Sequence, residues 1–134
     1  MSTPVLFVCM GNTCRSPMAA ALAKARGVAA ESAGVSAGPG DGAAPNAVRA
    51  LRDARDLSLR DHEPRDVSDV DLAAFDRVVA MSPAVARRLR AEHDDIPSSL
   101  VTWATPDPYG GTLADYRWCL EQIDAALDDL LASE

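Results

Sequence analysis

Residues Val8 to Pro17, VCMGNTCRSP, join an apolar run to the start of a helix. The run from Pro4 to Val8 is rich in β-forming residues and predicts a strand. Ser16-Pro17 followed by MAAALAKA predicts a helix in which Ser16 is the N-cap and Pro17 takes the first helical position. A loop that enters a helix N-terminus offers free N–H groups and a favourable dipole to an anion. We therefore interpret residues 9–15 as a phosphate-binding loop.

The rest of the chain continues this alternation of strands and helices. In chain order, the sequence predicts a strand ending near Gly34, a helix over Pro45 to Asp56, a short helix over Ser68 to Ala74, a strand over Arg77 to Met81, a helix after the Ser82-Pro83 cap, a strand over Leu100 to Trp103 and a helix from Leu113 to Leu130. The Gly-rich loop from Val35 to Ala44 is expected to be exposed.

This alternation is typical of the α/β class, with a parallel sheet covered by helices on both faces. We expect a single three-layer α/β/α domain over residues 1–134, with a four-stranded parallel sheet and the phosphate loop after strand one. Ligands of such sheets bind beyond the carboxyl ends of the strands, which is where this loop would lie.

Composition and charge narrow the possible functions. The chain has 134 residues, of which 48% are hydrophobic, and a formal net charge of -7. That charge argues against nucleic acids and anionic membranes as partners, because the global field repels polyanions. No apolar run approaches the length of a membrane span, no basic flank of a signal peptide is present, and three cysteines form no paired framework. We therefore expect a cytoplasmic protein.

The spacing of the loop residues suits phosphate chemistry. The backbone N–H groups of the loop can point inward around a tetrahedral oxyanion, with Gly11 free to adopt a positive φ. Arg15 can hold two phosphate oxygens, and the same positive field favours the thiolate of Cys9, which becomes an in-line nucleophile. The residues predicted to bind phosphate are Met10, Gly11, Asn12, Thr13, Cys14 and Arg15.

Other interpretations of these residues are possible. Taken separately, Cys9 could be a buried thiol at a strand end, and Arg15 a solvated charge at a helix start. Zinc would need further ligands at suitable spacing, but His62 and His93 are isolated, so we expect neither a metal nor a cofactor. The Lys-Ser/Thr ending of a nucleotide-binding loop is also absent.

The motif CMGNTCRSP, residues 9–17, resembles the phosphate loop of the low-molecular-weight protein tyrosine phosphatases, and Asp107-Pro108-Tyr109 is similar to their acid loop. The resemblance implies a phosphorylated protein substrate and a cysteinyl-phosphate intermediate. By this resemblance Cys9 attacks phosphorus, Arg15 holds the phosphoryl group, and Asp107 protonates the leaving group and then activates water.

The same resemblance suggests supporting roles for further residues. Asn12 and Ser16 resemble residues that brace the loop and assist the thiolate, Ser32 resembles a remote serine of that network, and His62 resembles its histidine. Tyr109 would form one wall of the substrate cleft. Simple N-capping by Ser16 and an ordinary surface or core role for His62 remain alternatives.

Several positions resemble the protein-arginine phosphatase branch of the family more closely. They are Thr13 in the loop, the Pro/Gly-rich segment after Ser32-Ala33-Gly34, the Met81-Ser82 step and the Gly110-Gly111 end of the acid loop. A hydroxyl at Thr13 suits a planar guanidinium. The second aromatic wall of the substrate cleft, which in the family usually follows the Ser-Ala-Gly motif, is missing after Ser32-Ala33-Gly34. Phosphoarginine is the favoured substrate and phosphotyrosine the alternative, with Thr13 and Tyr109 as specificity residues.

Two rival functions use the same loop. Arsenate reduction would need two further cysteines on a neighbouring segment, but residues 15–118 contain none. A non-catalytic phosphate-binding module would usually have lost the nucleophile or the acid. Cys14 could form a reversible disulfide with Cys9 as a protective cap, whereas Cys119 is interpreted as a small apolar residue of the last helix. The oligomeric state is not determined by the sequence, and a monomer is expected.

Overall fold

The computed structural model describes residues 4–37, 42–93, 96 and 100–132. Four strands and four α-helices alternate along this part of the chain, with two short 3₁₀ helices before the third strand. The elements are β1 (Val5–Cys9), α1 (Arg15–Ala25), β2 (Ala30–Gly34), α2 (Pro45–Arg55), the 3₁₀ helices Val67–Asp69 and Leu72–Ala74, β3 (Arg77–Ala80), α3 (Pro83–Glu92), β4 (Val101–Thr102) and α4 (Leu113–Ala132).

The four strands form one parallel sheet, as the sequence predicted, and the structure shows their order to be β2-β1-β3-β4. Val5 of β1 aligns with Ala30 on one side and with Arg77 on the other. The chain therefore leaves β1 toward one edge of the sheet and later returns to build the other half. This reversal beside β1 creates a crevice at the carboxyl edge of the sheet.

Side chains of β1 alternate between two cores, because successive residues of a strand point to opposite faces. Phe7 packs into the core formed with α1, α2 and α4, whereas Leu6 and Val8 pack into the core formed with α3 and the 3₁₀ helices. These helices on both faces give the three layers of the predicted α/β/α architecture. All five β1 side chains are buried.

Two predicted helix caps differ from the structure. Helix α1 begins at Arg15, and its N-cap residue Cys14 makes no side-chain cap bond, so Ser16 is not the N-cap. The segment around Ser68 forms two 3₁₀ turns in place of one helix. Asp66 and Asp71 cap these turns, because their carboxylates accept backbone N–H groups two residues on. The Ser82 cap of α3 is confirmed, since its hydroxyl accepts the Val85 N–H.

The predicted exposure of the loop from Val35 to Ala44 is wrong at its first residue. Val35 is buried because its N–H continues the ladder to the Cys9 carbonyl and its side chain joins the second core. Residues 38–41 of that prediction lie outside the described residues. Within the described part of the chain, no helix has the length and apolar character needed to cross a membrane.

Candidate active site

The loop between β1 and α1 lies at the crevice where the strand order reverses. It follows β1, which is one of the two central strands, so the loop lies at the carboxyl edge of the sheet. Gly34 at the end of β2 packs directly beneath it. A Cβ atom at Gly34 would stand 2.7 Å from the Met10 carbonyl oxygen and 3.0 Å from the Asn12 nitrogen. Only glycine allows this close approach of the two backbones.

The sulfur of Cys9 is held by two hydrogen-bond partners. Its Sγ atom lies 2.9 Å from Ser16 Oγ and 3.3 Å from the Asn12 backbone nitrogen. The Ser16 hydroxyl accepts a bond from Asn12 Nδ2 at 2.9 Å, and its single proton can be directed to the Cys9 sulfur or to the Ala33 carbonyl, which lies 3.4 Å from Oγ. These two contacts hold the Cys9 sulfur in place within the loop. Ser16 thus contacts the nucleophile instead of capping the helix.

Asn12 organises the loop from a fully buried position. Its φ of 58° is in the left-handed region, where asparagine is tolerated better than most residues. Gly11, which was expected to adopt the positive φ, does not do so. The Asn12 side chain donates to Ser16 and accepts the backbone N–H of Arg65 at 2.9 Å. Its amide group therefore ties the loop to the chain segment after His62.

His62 supports the same residue from the other side. Its Nε2 atom lies 2.7 Å from the Asn12 carbonyl oxygen, and this contact requires the ring N–H to donate. Ser32 is not brought into this group by its side chain: among the described residues its hydroxyl has no hydrogen-bond partner. Its carbonyl instead accepts Arg65 Nε at 3.0 Å. The supporting role of Ser32 stays a prediction.

Several loop N–H groups are available to a ligand. Among the described residues, the backbone N–H groups of Gly11, Thr13 and Cys14 make no hydrogen bond to a backbone carbonyl. They lie in the turn that surrounds the Cys9 sulfur and leads into α1, whose dipole adds positive potential. This arrangement can bind a tetrahedral oxyanion above the sulfur.

Arg15 and Asp107 meet at the same edge of the sheet. The side chain of Arg15 is 7% exposed, and its Nη2 atom lies 3.8 Å from Asp107 Oδ2. Its Nη1 atom donates to the Thr105 carbonyl at 3.4 Å. The Asp107 side chain is 58% exposed, so a substrate can reach it. A cation, an accessible carboxylate and a buried thiol group are therefore assembled around one loop.

The acid loop, residues 106–111, is fastened at both ends. Thr105 bonds to the Met81 carbonyl at the end of β3 through its N–H and its hydroxyl. Cys119 Sγ of α4 donates to the Pro106 carbonyl at 3.4 Å, and Asn46 Nδ2 of α2 donates to the Gly111 carbonyl at 3.3 Å. Burial raises the pKa of Cys119 to about 12, which keeps this thiol protonated as a donor.

The predicted specificity and redox residues are Thr13 and Cys14 of the phosphate loop and Tyr109 of the acid loop, and Cys14 contacts α4. Thr13 Oγ1 is 3.6 Å from Cys14 Sγ, and the hydroxyl of buried Tyr116 is 3.3 Å from the same sulfur. Burial, together with the contact to Cys14, raises the pKa of Tyr116, so its hydroxyl stays protonated. Tyr109 is 77% exposed, as a wall of an open cleft would be.

Sequence reasoning missed four residues that shape this site. Arg65 and Tyr116 act through contacts to Asn12 and Cys14, and no local motif marks either residue. Gly34 was noticed only as part of a motif, and Cys119 was interpreted as apolar packing although its thiol donates to the acid loop. No three His, Cys, Asp or Glu side chains within the described ranges gather as the ligands of a metal ion would.

Comparison with known proteins agrees with this geometry. The model of the family described as low molecular weight phosphotyrosine protein phosphatase matches residues 4–133. A low molecular weight protein-tyrosine-phosphatase of Streptomyces coelicolor is 35% identical, with 99% of this chain and 94% of that protein covered. A protein-arginine-phosphatase of Bacillus subtilis is 32% identical, with 94% and 93% covered.

Solved structures agree as well. A low molecular weight protein tyrosine phosphatase from T. tengcongensis superimposes with a TM-score of 0.90 at 33% identity, covering 99% of this chain and all of that one. The YwlE arginine phosphatase from Geobacillus stearothermophilus gives a TM-score of 0.85 at 28% identity, covering 98% and 94%. The fold and loop define a cysteine-dependent phosphatase. The chain belongs to the low molecular weight phosphotyrosine protein phosphatase family.

Proposed function

We propose that this protein hydrolyses a phosphorylated amino acid in a protein substrate, with Cys9 as nucleophile, Arg15 as phosphoryl clamp and Asp107 as general acid and base. The observation that carries the proposal is the placement of the Cys9 sulfur. It accepts the Asn12 N–H and lies 2.9 Å from Ser16 Oγ, and Arg15 and Asp107, 3.8 Å apart, lie at the same edge of the sheet. Bound phosphate would lie between thiolate and acid.

The reaction proceeds in two displacements. In the first, the Cys9 thiolate forms a bond to phosphorus, the bond to the leaving group breaks, and the carboxylic acid of Asp107 gives its proton to that group. In the second, the Asp107 carboxylate takes a proton from water, the water oxygen attacks phosphorus, and the phosphorus–sulfur bond breaks. Phosphate leaves, and the thiolate and the protonated acid are restored.

We infer that phosphoarginine is the preferred substrate. Thr13 supports this preference, because it is a half-buried residue of the loop. Its hydroxyl stands where an aliphatic side chain would favour a phenyl ring. Tyr109 supplies an exposed aromatic wall on one side. A guanidinium leaving group also needs a proton as its phosphorus–nitrogen bond breaks, and Asp107 can supply it. Phosphotyrosine is the alternative substrate of the same machinery.

The test compares phosphoarginine and phosphotyrosine in otherwise identical peptides. We expect the parent to prefer phosphoarginine. Thr13→Ile should lower the ratio of kcat/KM for phosphoarginine to kcat/KM for phosphotyrosine about tenfold, equivalent to about 1.4 kcal/mol. Thr13→Ser retains the hydroxyl and should keep the preference. A parent that prefers phosphotyrosine, or a ratio unchanged by Thr13→Ile, would contradict the phosphoarginine assignment and leave the tyrosine alternative.

We further propose that Cys14 protects the nucleophile from over-oxidation. Peroxide converts the Cys9 thiolate to a sulfenic acid, and the Cys14 sulfur then attacks that sulfur, forming a disulfide and releasing water. Both cysteines are free and buried in the same loop. A thiol reductant would restore the active dithiol form.

A further inference from the structure

A second arginine stands at the rim of the phosphate loop. Arg88 of α3 lies against Met10, the residue that follows the nucleophile, with Nη1 3.4 Å from Met10 Sδ. Its Nη2 atom donates to the Val35 carbonyl at 3.4 Å. Met10 is 37% exposed, which is unusual for a large apolar side chain of this protein. The mechanism described above uses neither side chain.

The guanidinium of Arg88 is held in place and still accessible. Contacts to Met10, Val35 and Glu92 fix its position, yet 41% of its side chain is exposed. Glu92 Oε1 lies 3.2 Å from both Nε and Nη2, Nη2 also donates to the Val35 carbonyl, and one N–H of Nη1 points to Met10 Sδ. The second N–H of Nη1 is therefore the donor left for a ligand among the described residues. A fixed arginine binds carboxylates with little loss of side-chain freedom.

We propose that Arg88 and Met10 form a subsite for an acidic residue that flanks the phosphorylated residue of the substrate. When the phosphorylated side chain enters the loop, the peptide on this side must pass over the exposed Met10 and meets the guanidinium beside it. The net charge of -7 repels an acidic peptide from the protein as a whole. A local cation such as Arg88 offsets that repulsion at one place. The proposal rests on hydrolysis of phosphoproteins, whichever phosphorylated residue is cleaved.

The subsite should raise kcat/KM for acidic peptides moderately. An accessible ion pair of this kind is expected to favour Asp over Asn about threefold to fivefold, or about 0.7 to 1 kcal/mol on the scale of 1.4 kcal/mol per factor of ten. Glu92 competes for the same guanidinium, so Glu92→Gln should increase the preference. Added salt should reduce it, because the pair is partly solvated.

The test uses pairs of phosphopeptides that differ only in having Asp or Asn at one position. That position is varied over the two residues before and the two residues after the phosphorylated residue. The Asp/Asn ratio of kcat/KM is measured in the parent, in Arg88→Gln and in the matched control Arg87→Gln, whose side chain is exposed on the same helix. Because each ratio compares two substrates of one variant, a loss of activity common to both cancels.

We expect a ratio of about three to five at one or more positions in the parent and in Arg87→Gln, and of about one in Arg88→Gln. A parent without any preference, an undiminished ratio in Arg88→Gln, or an equal loss in both variants would each overturn the subsite. Turnover of p-nitrophenyl phosphate by the parent is measured first. Its absence would contradict the proposed phosphatase function itself, which separates the two failures.

Discussion

At the scale of single residues, the reactivity of Cys9 depends on donors that reach its sulfur from within the loop. Ser16 Oγ and the Asn12 N–H contact the sulfur, and Cys9 itself is only 3% exposed. In the proposed mechanism the phosphate is bound by different atoms, namely the backbone N–H groups of the loop and the Arg15 guanidinium. Binding and attack are therefore separable by mutation.

Replacing the nucleophile should separate these two roles. We expect Cys9→Ser to abolish turnover of p-nitrophenyl phosphate, because a hydroxyl is a far weaker nucleophile than a thiolate. Vanadate should still bind, since the N–H groups and Arg15 are unchanged, and titration calorimetry would measure it. Turnover equal to that of the parent would rule out the cysteinyl-phosphate mechanism.

The role of Asp107 can be tested through the leaving group. Asp107→Asn should slow hydrolysis of an alkyl or unactivated aryl phosphate by about 10²- to 10⁴-fold, because the leaving oxygen then departs without a proton. The loss should be smaller with p-nitrophenyl phosphate, whose leaving group is stable as an anion. Initial rates over a series of aryl phosphates measure this dependence. Equal losses across the series would show that Asp107 is not the acid.

The protective role of Cys14 predicts a difference in recovery after oxidation. Brief peroxide treatment followed by a thiol reductant should restore the parent, whereas Cys14→Ser should lose activity irreversibly as Cys9 proceeds to sulfinic acid. Cys119→Ser serves as the control and should recover like the parent, because burial keeps the Cys119 thiol protonated and poorly reactive. If Cys14→Ser recovers as fully as the parent, Cys14 has no resolving role.

At the scale of elements, the acid loop is held in place by two helices, α2 before it in the chain and α4 after it. Helix α4 holds the start of the loop through Cys119, and α2 holds its end through Asn46. Gly111 itself is tightly packed, since a Cβ atom there would stand 2.9 Å from the Pro108 carbonyl. The position of Asp107 is thus set by these contacts from α2 and α4 together with a bond inside the loop, in which Asp107 Oδ1 accepts the Tyr109 N–H at 3.1 Å.

Loss of the hydrogen bond from Asn46 of α2 to the Gly111 carbonyl should slow the hydrolysis of substrates with poor leaving groups most. We expect Asn46→Ala to lower kcat for poor leaving groups about twofold to tenfold, in line with the loss of one hydrogen bond worth about 0.5–1.5 kcal/mol. Activity toward p-nitrophenyl phosphate should change less, because that substrate depends less on Asp107. The matched control is Arg49→Ala, which alters an exposed residue of the same helix. An equal loss on all substrates would indicate a general structural effect instead.

At the scale of the whole molecule, the parallel sheet brings distant segments to one edge. The proposed nucleophile Cys9 ends β1, Arg88 comes from α3, and the proposed acid Asp107 follows β4, so residues up to 98 positions apart in the chain lie at one edge of the sheet. The two cores on opposite faces of the sheet hold α1 and α3 in place around the loop. The site is therefore a consequence of the strand order, and local sequence alone does not place these segments together.

The sequence by itself determined the fold class, the loop and the chemistry expected of Cys9, Arg15 and Asp107. Alternating apolar runs and the Pro-started helices predict an α/β sheet, because strand and helix periodicity are local properties. The parallel sheet then places the loop after β1 and the loop after β4 at the same edge. The placement of the two loops needed only spacing along the chain and the rule that parallel strands end together. The acid role expected of Asp107 came from the resemblance of Asp107-Pro108-Tyr109 to the acid loop of the family.

Only the tertiary structure decided which atoms support the nucleophile. Asn12 in place of Gly11 adopts the positive φ because its buried amide bridges Ser16 and Arg65. Ser16 contacts the sulfur and does not cap the helix. Tyr116 reaches Cys14 across 102 positions of sequence, and Arg88 reaches Met10 across 78. Such contacts depend on how helices pack on the sheet, and that packing leaves no periodic signal in the sequence.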